Sequence, residues 1–236
     1  MQKYKANWLE NKRIVVASKH EKERVIQPLF LEHYTCTFIS CDIDTDALGT
    51  FSGEIERTLT PYQACIEKCR MAFKETDADF AIASEGSFGP HPLYYFTNCD
   101  EEYVLLMRRD EQLIVWDKIV STETNFCQID HPTADQLTTF LAQCKFPSHA
   151  IIFKSDSLIE KGITSIETLH QLLLGVTGSN FTLESDLRAH CNPTRMEVIK
   201  ETTKKLIEKL HSFCPNCETP GFSVQEIVKG LPCDAC

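Results

Sequence analysis

The sequence predicts an α/β fold, a mixed, largely parallel sheet with flanking helices, followed by a small C-terminal zinc-ribbon element. Three observations carry this expectation: short β-branched runs alternate with amphipathic segments, capping signals open several helices, and two Cys-x-x-Cys pairs lie near the C-terminal end. A chain of 236 residues with 42% apolar residues can build a core without covalent staples. An α/β body over residues 1–213 and a ribbon tail over 214–236 are therefore expected.

Each element has its own signal. Arg13 to Ser18 reads as a buried strand, and the charged stretch after it as a helix with Val25, Leu29 and Phe30 inward, kinked or delayed by Pro28. Thr37 to Ser40 is a second strand, followed by a polar loop from Asp42 to Arg57. Thr60-Pro61-Tyr62-Gln63 is a capping box with Pro at the first helical position, for a helix to about Lys74. Phe80 to Ala83 is a third buried strand, with Ser84 to Pro92 as the loop after it. Tyr103–Arg108 and Gln112–Val120 form a hairpin, Thr133 to Gln136 caps a helix to about Cys144, and His149–Phe153 is a strand. Ile166, Leu169, Leu172 and Leu173 mark a helix face, and a last helix starts at Asn192 and Pro193 and buries Met196, Ile199, Leu206, Leu210 and Phe213.

The start shows no apolar stretch of signal-peptide length, and no window approaches the roughly 20 apolar residues of a membrane span. A cytoplasmic protein with no membrane partner is expected. The net charge of −10 argues against nucleic acid as the main partner. A homodimer is left open.

Twelve cysteines exceed what a core needs. Cys214-Pro-Asn-Cys217 and Cys233-Asp-Ala-Cys236, fifteen residues apart, have the spacing of a four-thiolate structural zinc site. Ordinary thiols or a rubredoxin-like iron site are the alternatives, and the ribbon is either complete at Cys236 or part of a longer one. The other eight cysteines read as small buried residues.

The body offers several polar groups. Glu85 stands at a strand end beside Gly86, and Asp42, Asp44, Asp46, Glu54 and Glu56 follow the second strand. Carboxylates from two strand ends would make an oxygen site for Mg²⁺, or else a solvated loop. Ala47 and Gly53 break the EF-hand pattern, which excludes calcium there. Lys19, Lys22 and Arg24 lie where the first helix starts, a setting that suits phosphate or merely a solvated first turn. Arg188, His190 and Arg195, clustered with Asp186 and Asn192, could grip an anion or dock the last helix. His91, between two prolines, reads as a general acid, a metal ligand or a turn residue.

Two resemblances follow from these strings. Asp44–Arg57, Ala83–Pro92, Asp186–Met196 and Cys214–Phe222 resemble an uncharacterised family of bacterial proteins over essentially the whole chain. More distantly, residues 13–120 are similar to the inosine/xanthosine triphosphate pyrophosphatase (ITPase-like) superfamily. They share its order of strand, Ala-Ser-Lys, helix, strand, Gly-Thr-Phe with a following Glu, helix with Ala64 and Lys68, and strand ending Glu85-Gly86. That superfamily cleaves non-standard nucleoside triphosphates with Mg²⁺. The resemblance implies Ser18, Lys19 and His20 in a phosphate loop and Glu54 and Glu85 as the metal-binding acids. His20 stands where the superfamily has Asn, and Glu23 where it has a Lys, so Lys22 or Arg24 must take that part. Glu54 is shifted by one residue from the superfamily's acid.

The expectation is thus a Mg²⁺-dependent hydrolase of a nucleotide or another phosphorylated small molecule. Glu54 and Glu85 would bind metal, and Glu85 would orient the attacking water, with His91 a further catalytic candidate. Lys19, Lys22, Arg24, Arg188, His190 and Arg195 would hold phosphate, and the ribbon would carry Zn²⁺. The alternatives are a non-catalytic nucleotide-binding module whose ribbon docks protein or nucleic acid, and a thiol redox protein.

Overall fold

The computed structural model describes residues 7–49, 56–176, 180–224 and 230, and its elements begin in the expected order. β1 (Arg13–Val16), α1 (Glu23–His33), β2 (Thr37–Ile39), α2 (Pro61–Glu75) and β3 (Phe80–Pro90) form crossover units, so β1 pairs in parallel with both β2 and β3. A 3-10 turn, Thr45–Leu48, lies in the loop after β2. Pro28 is accommodated inside α1, which buries Ile26, Leu29 and Phe30. The Thr60 hydroxyl accepts from Gln63 N at the start of α2, as the capping box requires.

β3 does not stop at Ala83. β4 (Asn98–Arg108) returns antiparallel along its whole length, and the stretch Ser84–Pro90 pairs with Asn98–Val104. β5 (Ile114–Ser121) extends the sheet to the order β2-β1-β3-β4-β5, which has two parallel and two antiparallel pairings. The sheet is therefore mixed without being largely parallel, because a long hairpin replaces further crossovers.

A second sheet follows, with β6 (Gln128–Asp130), β7 (Ile151–Ser155), β8 (Ile159–Ile163) and β9 (Phe181–Ser185) in the order β6-β9-β7-β8, all antiparallel. α3 (Ala134–Gln143) and α4 (Ile166–Gly175) supply Phe140 and Leu169 to its own core with Ile151, Phe153 and Leu183. α5 (Pro193–Leu210) then folds back onto the first sheet, where Ile199, Leu206 and Leu210 join Ile26, Phe30, Ile82 and Leu106. The other face of that sheet is covered by α2 through Cys65, Ile66, Cys69 and Ala72.

After α5 the chain makes a turn in which Cys214 N donates to Thr219 O at 2.9 Å and Glu218 N to Cys214 O at 2.9 Å. Cys233 and Cys236 lie outside the described residues, so only one of the two Cys-x-x-Cys pairs is seen. Of the eight body cysteines, Cys65, Cys69, Cys99 and Cys144 are buried, whereas Cys36, Cys41, Cys127 and Cys191 are only partly so. Among the described residues no helix is long and apolar enough to cross a membrane.

Candidate functional site

Two buried lysines meet on one residue of β3. Lys22 stands at the start of α1, after a turn in which Glu21 takes a positive φ of 57°, and its Nζ donates to Ser84 O at 3.0 Å and Ser84 Oγ at 2.9 Å. Lys68, on the inner face of α2, donates to the same Ser84 carbonyl at 3.3 Å. It also pairs with one oxygen of Glu85, whose other oxygen pairs with Arg57. Arg57 in turn donates to Gly86 O at 3.1 Å. On the opposite face of β3 and β4, the fully buried Glu102 accepts from Arg195 Nε at 3.0 Å and lies 3.6 Å from Lys22 Nζ.

Local rules put these groups there. Asn192 caps α5 by accepting from Arg195 N at 3.0 Å, which fixes the first turn and sends the Arg195 side chain inward, where it also donates to Leu187 O at 2.6 Å. The pair it makes with Glu102 occupies the space a side chain at Gly86 would need. A Cβ there would collide with Glu102 Oε2 and sit 2.7 Å from Arg195 Nη2. Gly86 is thus a matter of close approach.

A cavity of about 60 Å³ opens beyond the C-terminal end of β1, lined by Lys22, Lys68, Glu85 and Arg195 together with His20, Thr45, Asp46, Gly49, Ile152, Lys161 and Arg188. Around it, among the described residues, the buried Lys22, Lys68 and Arg195 and the part-buried Arg57 meet the carboxylates of Glu85 and Glu102, and Asp46 is also in the lining. Burial pushes Lys22 down to about 8 and Lys68 down to about 7, with neighbouring cations adding to the effect. Cys65 and Glu102 work the other way on Lys68. Arg57 is lowered by burial to about 10. Burial opposes ionisation of Glu102, but Arg195 and Lys22 outweigh it and hold its pKa below the usual carboxylate value. Burial also holds His20 down, to about 4, and lowers His190, whose ring stacks on it at 5.0 Å.

The expected phosphate residues divide. Lys22, His20, Arg188 and Arg195 line the cavity, and His190 is beside it. Lys19 is at its rim, bound to Asp44 and Asp46 at 2.8 Å each, and Ser18 Oγ accepts from His20 N at 3.2 Å. Arg24 pairs with Glu21 at 2.9 Å on the surface and has no part in the cavity. Arg188 is held by Asp186 at 2.6 Å, so the helix-docking reading describes that end of the cluster. His91 sits at the β3–β4 turn, where its Nδ1 accepts from Leu93 N and Tyr94 N at 3.1 Å each, a turn residue's work. Glu54 lies outside the described residues.

Arg57 and Glu102 stand outside the sequence-predicted site residues, and Lys68 enters only within the ITPase-like motif. The alternation Asp100-x-Glu102-x-Val104-x-Leu106 was the available signal, since it continues the inward face of β4 past the apolar run. Asp100 itself is buried, and among the described residues neither of its carboxylate oxygens has a hydrogen-bond partner. Burial first, then the Glu102 charge, pushes its pKa up to about 8.

The donor set can be weighed against metals. Among the described residues no group of three or more His, Cys, Asp or Glu side chains is arranged to hold an ion. Both oxygens of Glu85 are engaged by cations, and Asp46 is engaged by Lys19 and His20. These residues alone do not fit Mg²⁺. Lys200 and Lys204 on α5 pair with Glu197 and Glu201, the pattern of a solvated face.

Residues 68–236, most of the chain, match the family model described as Domain of unknown function (DUF6671). The chain belongs to this family. No curated protein matches it. The DUF6671 match begins at Lys68 and takes in Glu85, Glu102, Arg188 and Arg195, while Lys22, His20, Asp46 and Arg57 precede it. The cavity is therefore assembled from residues inside and outside the matched segment.

Proposed function

We propose that the protein is a hydrolase acting on a nucleotide or another phosphorylated small molecule, with a phosphate group seated in the cationic cavity. The observation that carries this reading is the convergence of Lys22 and Lys68, both buried, on the Ser84 carbonyl, with Arg57 and Arg195 close by at Glu85 and Glu102. Burial has already lowered both lysines, and an entering phosphate would favour their charged forms and relieve their mutual repulsion. A cavity of about 60 Å³ suits a phosphoryl group, and a nucleoside attached to it would extend outward. The similarity of the N-terminal half to ITPase-like pyrophosphatases supports the same class. Glu85, once phosphate draws Arg57 or Lys68 from it, is the residue assigned to orient water.

The test is calorimetric binding of pyrophosphate, together with phosphate release from a panel of nucleoside triphosphates with and without Mg²⁺. Lys68→Met and Lys22→Met should each abolish binding, and Glu85→Gln should abolish turnover. If both lysine variants bind as the parent does, the reading is wrong. A non-catalytic nucleotide-binding module is the second reading, favoured by the engagement of both Glu85 oxygens. Binding without turnover of any substrate would select it.

For the tail we propose a structural Zn²⁺ held by Cys214, Cys217, Cys233 and Cys236. Their spacing supports it, as does Cys217, whose thiol pKa is lowered first by its contact with Thr219 Oγ1 at 3.2 Å. Elemental analysis should find one zinc per chain, lost in Cys214→Ser.

A further inference from the structure

Away from the cationic cavity, Cys127 and Cys144 bring their sulfurs to 3.0 Å. Cys127 precedes β6, an edge strand of the second sheet, and Cys144 is the C-cap of α3, so the two thiols join a strand to the helix that covers it. Both backbones are fixed. Cys127 N donates to Ser185 Oγ at 3.1 Å, and Asn125 Nδ2 donates to Cys144 O at 2.9 Å. The thiols are unlike in access: Cys144 is fully buried and Cys127 partly exposed, so a small reagent meets Cys127 first. Their contact lowers the pKa of Cys127 and raises that of Cys144, the asymmetry that suits an attacking and a resolving thiol.

We propose that Cys127 and Cys144 are a redox-active pair that hydrogen peroxide closes to an intramolecular disulfide. The Cys127 thiolate attacks the peroxide O–O bond, forms a sulfenic acid and releases one water. The Cys144 sulfur then displaces the sulfenic hydroxyl, which leaves with a proton as a second water while the S–S bond forms. The two thiols supply two electrons and the peroxide accepts them, so no further reactant is needed. The bridge clamps β6 to the end of α3.

The whole chain, folded in native buffer, is treated with hydrogen peroxide, then denatured, alkylated and mapped by mass spectrometry without reduction. The expected product is a peptide pair joining Cys127 to Cys144, two hydrogens lighter than its reduced form and split by dithiothreitol. In Cys127→Ser, Cys144 should remain alkylatable. Oxidation should raise the melting temperature of the parent, reversibly, and leave that of Cys127→Ser unmoved. Alkylation of both cysteines after treatment, pairing of Cys127 with a different cysteine, or arrest at the sulfinic acid would each overturn the proposal.

Discussion

Asp100 is the sharpest point at which this fold stores a cost. It is 1% exposed, neither oxygen has a hydrogen-bond partner among the described residues, and the Glu102 carboxylate shares its face of β4. Its pKa rises from 3.8 to about 8, so between those values the unfolded chain gives up a proton that the folded chain keeps. A carboxyl whose folded pKa is raised contributes fully below the unfolded pKa, and that contribution is lost as pH rises toward the folded value. At about 1.4 kcal/mol per pKa unit the loss by pH 7 has a ceiling of about 4 kcal/mol. Asp100→Asn keeps the shape and removes the titration. Urea unfolding of both proteins from about pH 4.5 to about pH 7 should show the variant gaining roughly 1–3 kcal/mol on the parent across that interval. Lys22 and Lys68, whose folded pKa values are lowered, penalise the fold below those values and relieve it as pH rises toward 10.5, so their effect lies at higher pH. A parent-minus-variant difference that stays constant from acid to neutral would refute the argument, since it would mean that Asp100 has a partner in solution.

Three further outcomes follow from the same residues. Pyrophosphate affinity should fall as pH climbs through about 7 to about 8, where Lys68 and then Lys22 lose their protons; calorimetry across that range checks it, and a flat profile would mean the lysines are not the grip. Glu102→Gln strips the carboxylate from Arg195 and Lys22 and should cost about 3–5 kcal/mol in denaturant unfolding, the usual penalty for leaving a buried charge uncompensated. Gly86→Ala drives a methyl into the Glu102–Arg195 pair and should lower stability by about 2–4 kcal/mol and weaken pyrophosphate binding, whereas Gly89→Ala, which meets nothing within 4 Å, should be near neutral on the same assays.

The crossover half of the fold was legible because its signals are local. The capping boxes at Thr60 and Thr133 and the Asn192-Pro193 start are written in adjacent residues, and the structure forms all three. β3 was cut short because Ser84-Glu85-Gly86-Ser87 reads as a polar loop, and only the long-range return of β4 makes it a strand. β6, β8 and β9 are short or polar, and Glu160-Lys161-Gly162 carries no strand pattern of its own; these segments pair because the second sheet is already there. For the site, types of residue were readable and partners were not. Arg195 was named as an anion ligand, but its pairing with a carboxylate 93 residues away on β4 depends on where α5 lands.

That landing also explains why the cavity exists. Lys22 and Lys68 come from helices on opposite faces of the first sheet and reach the same carbonyl of β3 only because β1 stops at Val16 while β3 runs on to Pro90. The uncovered length of β3 would be open to water, yet α5 brings Arg195 over one face, and Ile152, Lys161 and Arg188 of the second sheet and its following loop close the space. Each cation has a partner in the protein: Lys22 and Lys68 donate to Ser84 O, Asp186 holds Arg188, and Arg195 donates to Leu187 O. The cations can therefore be carried into a buried site by rigid supports.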